Sequence, residues 1–512
     1  MFQNVSANAK LAVILISSAL VVACGSGSST SSNSSQPIYT GVFDAGSSGT
    51  RLSFFKVIPS PGGYPVISKI ATIDKDIDGV VKDDGINDFL NGNGSIKLEN
   101  DTLPPGCPRT TDLGQYNVEA CVLQPHLAQL DQEIAKLNTQ NPGLNLTRAQ
   151  VKLEMFATAG MRTEDERNGG SHSTAAIEQY YGQMKAYVAQ WGYSTGEFKT
   201  INGNSEEGVW TWINLNDYYF NAFGGNPAKS ALQQAPVGDF EVGGSSMQIA
   251  FPTGQIASDA ANVYRVSING RSFNVYSKTF LGLGGDDARK YVKAFNYNQQ
   301  DGAANCYAVE ATVNNTKESS GVQLYPSNQV TSVYPFPTNA GVLTVPWTTL
   351  VASSLNLNAA AGYNFDGCSG KYNTIASQVT ALNRNRYGTF NEGAIATIDS
   401  FKAALQNSMA PFVGIDNFYY TAADLKYAPA TGFQAIEFKT KLLNYCGKKV
   451  AIDSKFAQDV CPNGTYMYDY LFGDNGLFKN STATFAGVLS PRDNGDTVLT
   501  WTRGYLLQKY SR

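Results

Sequence analysis

Two short stretches, far apart in the chain, offer the same chemistry. Asp44-Ala45-Gly46-Ser47-Ser48-Gly49-Thr50-Arg51-Leu52 lines up with Glu241-Val242-Gly243-Gly244-Ser245-Ser246-Met247-Gln248-Ile249. Glycines let a turn bend until successive backbone N–H groups converge on an anion, and serine and threonine hydroxyls add further donors. An acid at the end of the incoming strand can hold a metal-bound water beside the same phosphate. A lone Gly/Ser turn is most often structural. Two copies with an acid at the same offset point to two phosphate loops facing one cleft.

Each copy follows a short β-rich run (39–43 and 237–240) and precedes another (52–57 and 249–251), so each reads as strand, tight turn, strand. The chain has 512 residues and is 42% hydrophobic, enough for a large core and for two lobes. Aromatics at 12% against 16% charged residues describe an ordered globular protein. A net charge of -4 gives no basic footprint for nucleic acid. An anionic substrate would therefore need local positive charge, a metal or aimed N–H groups. Only two histidines are present, and no serine lies in a GxSxG run, which argues against a Ser-His-Asp hydrolase. There is no GxxxxGK[ST] or GxGxxG run before a helix. Asp74-Lys75-Asp76-Ile77-Asp78-Gly79 starts like a calcium loop, but the twelfth position is Gly85 instead of Glu.

The N-terminus reads as a targeting segment. Lys10 precedes an apolar run from Leu11 to Val22, which is short for a membrane span. Val21-Val22-Ala23-Cys24-Gly25 resembles a bacterial lipoprotein signal, with residues 1–23 removed and Cys24 lipidated; the alternative is an ordinary cleaved signal peptide. The rest of 24–37, rich in Gly and Ser, reads as a tether. The expectation is an exported, membrane-anchored monomer facing the periplasm or cell surface. Six cysteines then remain, which allow fifteen pairings. Locality favours Cys107–Cys121 and Cys446–Cys461, which leaves Cys306–Cys368.

At the two turns the sequence resembles the apyrase family, the ectonucleoside triphosphate diphosphohydrolases and Golgi nucleoside diphosphatases. DAGSSGTR at 44–51 is similar to the family's first block, Ala157-Thr158-Ala159-Gly160-Met161-Arg162 to its second and Glu206-Glu207-Gly208-Val209-Trp210-Thr211-Trp212-Ile213 to its third. EVGGSSMQI at 241–249 resembles the fourth, Tyr276–Gly284 a fifth, and Trp501-Thr502-Arg503-Gly504-Tyr505 the C-terminal Trp-Thr-x-Gly signature. The matches keep family order across roughly 38–510. The resemblance implies an α/β protein of actin/Hsp70/hexokinase type, with two ribonuclease-H-like lobes around an interlobe active site. Lobe I is expected at 38–202 plus 484–512, and lobe II at 203–483.

It also implies hydrolysis of the terminal phosphates of nucleoside tri- and diphosphates, with Mg2+ or Ca2+ as a hard cation on oxygen ligands. Glu207, the acid directly before Gly208, is then the catalytic base. Glu206 is the alternative, because one extra residue stands between Gly203 and the acidic pair. Ser246 would position the attacking water, with Gln248 as a second polar partner. Ser47, Ser48, Gly49 and Thr50, with Gly244 and Ser245, would bind phosphate, and Arg51 would add a charge-assisted contact. Asp44, Thr158, Glu241 and Trp501 match positions that hold the metal's water shell. Tyr420, in Phe418-Tyr419-Tyr420-Thr421, matches the place of an aromatic that stacks on the nucleobase, the other reading being a buried helix face. Arg162 is left without a role.

The chain departs from the family pattern at several of these places. Glu241 replaces the usual Asp, and its extra methylene shifts the carboxylate by about 1.5 Å, which Mg2+ tolerates less than Ca2+. Trp210, Asp217 and Val460 also replace residues the family favours there. Two other readings follow: a polyphosphate or guanosine-polyphosphate phosphatase of the same fold, and a non-catalytic nucleotide-binding surface protein.

Overall fold

The computed structural model describes residues 36–285, 306–308, 333–338, 341–346, 362–372, 398–448 and 459–511, apart from short stretches inside these ranges. Cys24, Ser48 and the acidic run at 74–79 lie outside the described residues.

The strands run β1 (Ile38–Gly46), β2 (Gly49–Ile58), β3 (Val66–Ile73), β4 (Val80–Asp83), β5 (Ile96–Leu98), β6 (Val151–Ala157), β7 (Ser194–Thr200), β8 (Gly238–Val242), β9 (Ser246–Pro252), β10 (Val263–Ile268), β11 (Arg271–Leu281), β12 (Val333–Thr338), β13 (Gly341–Pro346), β14 (Pro411–Asp416) and β15 (Thr484–Val488). Leaving aside two small hairpins, they build two mixed sheets, β3-β2-β1-β6-β7 and β10-β11-β9-β8-β14-β15.

The second sheet repeats the first. In each, an acid-Gly-Ser turn closes an antiparallel hairpin, with Asp44 opposite Arg51 in one and Glu241 opposite Gln248 in the other. The hairpin's first strand pairs in parallel, on its far side, with a strand from much later in the chain: β1 with β6, and β8 with β14. A further parallel strand follows, β7 or β15. The order β3-β2-β1-β6-β7 thus recurs as β11-β9-β8-β14-β15, with β10 added at the edge. This is the two-lobed α/β architecture that the resemblance implied. Flanked on both sides by strands and buried along almost its whole length, β1 reads as a nearly continuous apolar run up to Asp44.

One boundary differs from the sequence reading. Thr484–Val488 was assigned to lobe I, yet it pairs in parallel with β14 and so belongs to the second sheet. The helix Trp501–Tyr510 instead lies along the helix Val209–Asn221, in a core shared by Val42, Phe55 and Phe156 of the first sheet and Val266 and Val275 of the second. Polar contacts fix how the two helices meet. Arg503 pairs with Asp217 at 2.6 Å and donates to Asn214 Oδ1 at 2.8 Å, while Asn214 donates to the carbonyls of Val498 and Thr500. The unusual Asp217 is therefore matched by the arginine in this chain's Trp-Thr-Arg-Gly. A Cβ at Gly504 would strike the main chain of Trp210. Gly504→Ala should therefore force the helices apart and lower stability by about 1–3 kcal/mol, as overpacking does, read as a drop in the denaturant midpoint at unchanged slope.

The described cysteines pair as Cys107–Cys121, Cys306–Cys368 and Cys446–Cys461. Among the described residues no helix is long and apolar enough to cross a membrane.

Candidate active site

The two turns and the ends of β6 and β14 lie at corresponding ends of the two sheets. At the first turn Gly46 is paired with Gly49, and Asp44 lies 3.7 Å from Arg51, its cross-strand neighbour. Arg51 thus faces the acid of its own turn. At the second turn Gly243 donates to the carbonyl of Ser246, and the segment after β11 braces the loop from beneath. There Gly282 N donates to Ser245 O at 2.7 Å and Gly285 N to Gly243 O at 2.9 Å. These bonds account for the fifth sequence block, whose work is to hold the second turn in shape.

Glu207 enters this frame from the start of the helix Val209–Asn221. The extra residue before the acidic pair is absorbed as a π-helical turn over Gly203–Gly208, in which Glu207 N reaches Asn202 O, five residues back, at 3.0 Å. Single π-turns of this kind recur at functional sites. The turn sends the two acids different ways. Glu206 is half-buried and accepts from Lys199 Nζ and from Asn202 N, both at 2.8 Å. Glu207 is buried, and its Oε2 accepts from Arg162 Nη1 at 2.6 Å and Gln248 Nε2 at 3.2 Å. A Cβ at Gly208 would collide with Ser277 Oγ, so glycine must follow this acid.

Arg162, which sequence reasoning left without a role, is fully buried and joins three segments. Beyond Glu207, its Nη2 donates to Ser246 Oγ at 3.1 Å and its Nη1 to Ile201 O at 3.2 Å. Gln248 closes the network by donating to Ser246 Oγ at 2.7 Å and Thr279 Oγ1 at 2.9 Å. Glu207, Ser246 and Gln248 are thus brought together. Both hydrogen bonds to Glu207 from the described residues fall on Oε2.

The remaining expected residues surround this network. Thr158 is buried and precedes the helix Ala159–Glu164, and its N–H donates to Ala45 O at 3.2 Å, one residue from Asp44. Glu241 is buried and accepts from Thr211 Oγ1 at 2.9 Å. Trp501 is buried in an aromatic cluster with Phe156 and Trp210, ring centroids 6.0 and 6.1 Å away. Tyr420 is exposed, on a helix (Asn417–Asp424) that buries Phe418, Thr421 and Ala422.

Sequence reasoning missed two acids. Asp416 ends β14 beside Val242, and Asp239 lies two residues before Glu241 on β8. Asp416 follows a strand and precedes a helix, as Thr158 does, and that repeated layout was the available signal. Asp239 leaves no such mark, because its burial depends on the packing of β8.

Electrostatics single out the same corner. Burial pushes Asp44 up to about 7, with Arg51 opposing and the Glu207 and Asp416 carboxylates adding to the rise. Glu241 is pushed well above the usual carboxylate range by burial and then by Asp416 and Glu207. Asp239, raised by burial, has two buried carboxylate oxygens without a hydrogen-bond partner, and Gln248 Oε1 is likewise buried and unpaired. Orphaned buried oxygens beside clustered acids, with no thiolate or imidazole among them, fit a hard cation with its waters. Among the described residues no three such groups are arranged to hold a metal directly, and the resemblance implies contact through water.

A pH dependence follows from Asp44. Its folded-state value, about 7, lies above its ordinary 3.8, so the folded form binds the proton more tightly than the unfolded chain does. In chelator, this group's contribution to stability should decline as pH rises from about 4 through about 7. A bound cation should shrink the decline. Thermal midpoints across that window, with chelator and with Ca2+, measure both.

Comparison with known proteins places the chain. The sequence profile of the GDA1/CD39 (nucleoside phosphatase) family matches residues 145–465. Nucleoside-triphosphatase ntp-1 of Caenorhabditis elegans is 29% identical over 298 residues, 55% of this chain and 46% of that protein. The chain thus spans about half the length of that relative. Human ectonucleoside triphosphate diphosphohydrolase 2 is 23% identical over 372 residues, 70% of this chain and 67% of the other. Among solved structures, a nucleoside triphosphate hydrolase from Neospora caninum aligns with a TM-score of 0.54 at 16% identity, covering 93% of each chain, a likeness of fold. With well over half its length matched, the chain is a member of the GDA1/CD39 (nucleoside phosphatase) family.

Proposed function

We propose that this protein hydrolyses the terminal phosphates of nucleoside tri- and diphosphates with Mg2+ or Ca2+, outside the cytoplasm, on a lipid anchor at Cys24. The observation that carries the reading is Glu207. One of its oxygens is pinned by Arg162 and Gln248 while the other accepts no bond from the described residues, and Ser246 stands within the same network. That is the arrangement a base needs to orient a water and take its proton.

The chain's own groups divide the work. The backbone N–H groups and hydroxyls of Ser47, Ser48, Gly49, Thr50, Gly244 and Ser245 bind phosphate oxygens, with Arg51 adding charge. Asp44, Thr158, Glu241 and Trp501 would hold the waters of a bound cation. A cation bound there would neutralise charge on the phosphoryl oxygens. Ser246 Oγ holds the attacking water in line, and Glu207 Oε1 receives its proton. Arg162 and Gln248 keep both groups at fixed positions, which serves catalysis through preorganisation. Tyr420 offers an exposed ring for a base to stack on.

Phosphate release from ATP, ADP, AMP and inorganic polyphosphate, each with Mg2+ and with Ca2+, tests the reading. Release from ATP and ADP but not AMP is expected. Release from polyphosphate alone, or binding without release, would replace it.

A further inference from the structure

Resting on the hydrolase reading, we propose that Thr279 is a positioning residue of this site: anchored to the turn that carries Glu207, its hydroxyl sets the side-chain amide of Gln248. Its place follows from where two strands end. β10 pairs with β11 only from Arg271 to Tyr276. Beyond Tyr276 that edge of β11 has no strand partner among the described residues, and the π-helical turn Gly203–Gly208 lies against β11. There the N–H of Thr279 donates to Asn204 Oδ1 at 2.7 Å, and Asn204 is held in turn by donating to Asn262 Oδ1 at 3.1 Å. Thr279 and Asn204 are both buried, where an unmade bond costs most. The approach is close. A Cβ at Gly203 would lie 2.6 Å from Thr279 Cγ2 and 2.9 Å from its Oγ1, so glycine is required there.

The hydroxyl meets the rest of the network. Thr279 stands directly opposite Gln248 in the ladder between β11 and β9. Its Oγ1 accepts from Gln248 Nε2 at 2.9 Å, and the same nitrogen reaches Ser246 Oγ at 2.7 Å and Glu207 Oε2 at 3.2 Å. A primary amide offers two N–H hydrogens and one carbonyl oxygen. Thr279 takes one hydrogen, which leaves the other to be shared between the Ser246 hydroxyl and the carboxylate. Gln248 Oε1 is buried and has no partner among the described residues, so nothing on that side of the amide holds it. Without the Thr279 hydroxyl the amide would be free to turn, and Oε1 would then meet Glu207 oxygen against oxygen. The hydroxyl therefore keeps the N–H side of Gln248 toward the base and toward Ser246.

The test is steady-state ATP hydrolysis by the wild-type chain and by Thr279→Ser, Thr279→Val and Thr279→Ala. Serine keeps the hydroxyl and drops the methyl, valine keeps the shape and drops the hydroxyl, and alanine drops both. All three keep the backbone N–H that bonds Asn204. Thr279→Val and Thr279→Ala should lower kcat by about 3- to 10-fold, the scale of one hydrogen bond, at nearly constant KM, while Thr279→Ser stays near wild type. Should the valine variant fail to fold beside Gly203, alanine against serine decides: alanine slower supports the role, and equal rates refute it. A role in packing alone predicts valine near wild type with serine and alanine alike, and that order would overturn the proposal. In a Gln248→Leu background Thr279→Val should cost no further kcat. An equal further loss would place its action elsewhere and overturn the proposal as well. If the wild type releases no phosphate from ATP, the hydrolase reading falls and this inference with it.

Discussion

Glu207→Gln is expected to reduce phosphate release by roughly 10²–10⁴-fold, the range supplied by a positioned general base, while nucleotide affinity changes little. Glutamine keeps the size of the side chain, and its amide oxygen can still accept from Arg162. It cannot take a proton from water. The fall should appear in kcat, with KM nearly constant, because the group acts in the transition state more than in binding. Glu206→Gln is the matched control. Glu206 is tied to Lys199 and to Asn202, away from Arg162 and Ser246 in its bonding, so most turnover should survive its replacement. Equal losses in the two variants would show that the π-helical turn as a whole matters, and not the buried acid.

The second large effect is expected at Arg162. Its guanidinium is the buried cation bonded to Glu207 and it also donates to Ser246. Arg162→Met fills similar space without the charge and leaves a carboxylate buried and uncompensated. Breaking such a pair from one side costs about 3–5 kcal/mol, and the freed carboxylate should also lose its set position, lowering kcat. The double variant Arg162→Met with Glu207→Gln removes both charges. It should recover much of the stability lost in Arg162→Met and none of the activity. Denaturant unfolding of the four proteins forms a double-mutant cycle. Simple additivity would contradict direct coupling.

How much of this was legible in the sequence depends on how local each signal is. The two acid-Gly-Ser turns lie between short strands, so residues 44–52 and 241–249 disclosed the repeat. The pairing of lobes followed from that repeat. Arg162 stayed without a role because its partners, Glu207 and Ser246, come from two other segments, and nothing near residue 162 names them. The extra residue before Glu206 was visible as a count, but only the fold shows it taken up as a π-helical turn. Asp416 carried only the mark of a strand running into a helix, because β14 follows β8 by a long stretch of chain and its adjacency to β8 comes from the fold. The lobe boundary at 484 failed for a related reason. Nothing within Thr484–Val488 names its neighbour, and the fold pairs it with β14. Asp217 read as a plain departure until the structure set Arg503 against it.

The central claim, that water attacks the terminal phosphorus of a nucleotide under Glu207, has a direct test. Hydrolysis of ATP by the wild-type protein in water enriched in oxygen-18 is followed by mass spectrometry of the products. Each orthophosphate released should carry one solvent oxygen, and the nucleotide products should carry none. Label in the nucleotide, or no orthophosphate at all with either cation, would contradict it.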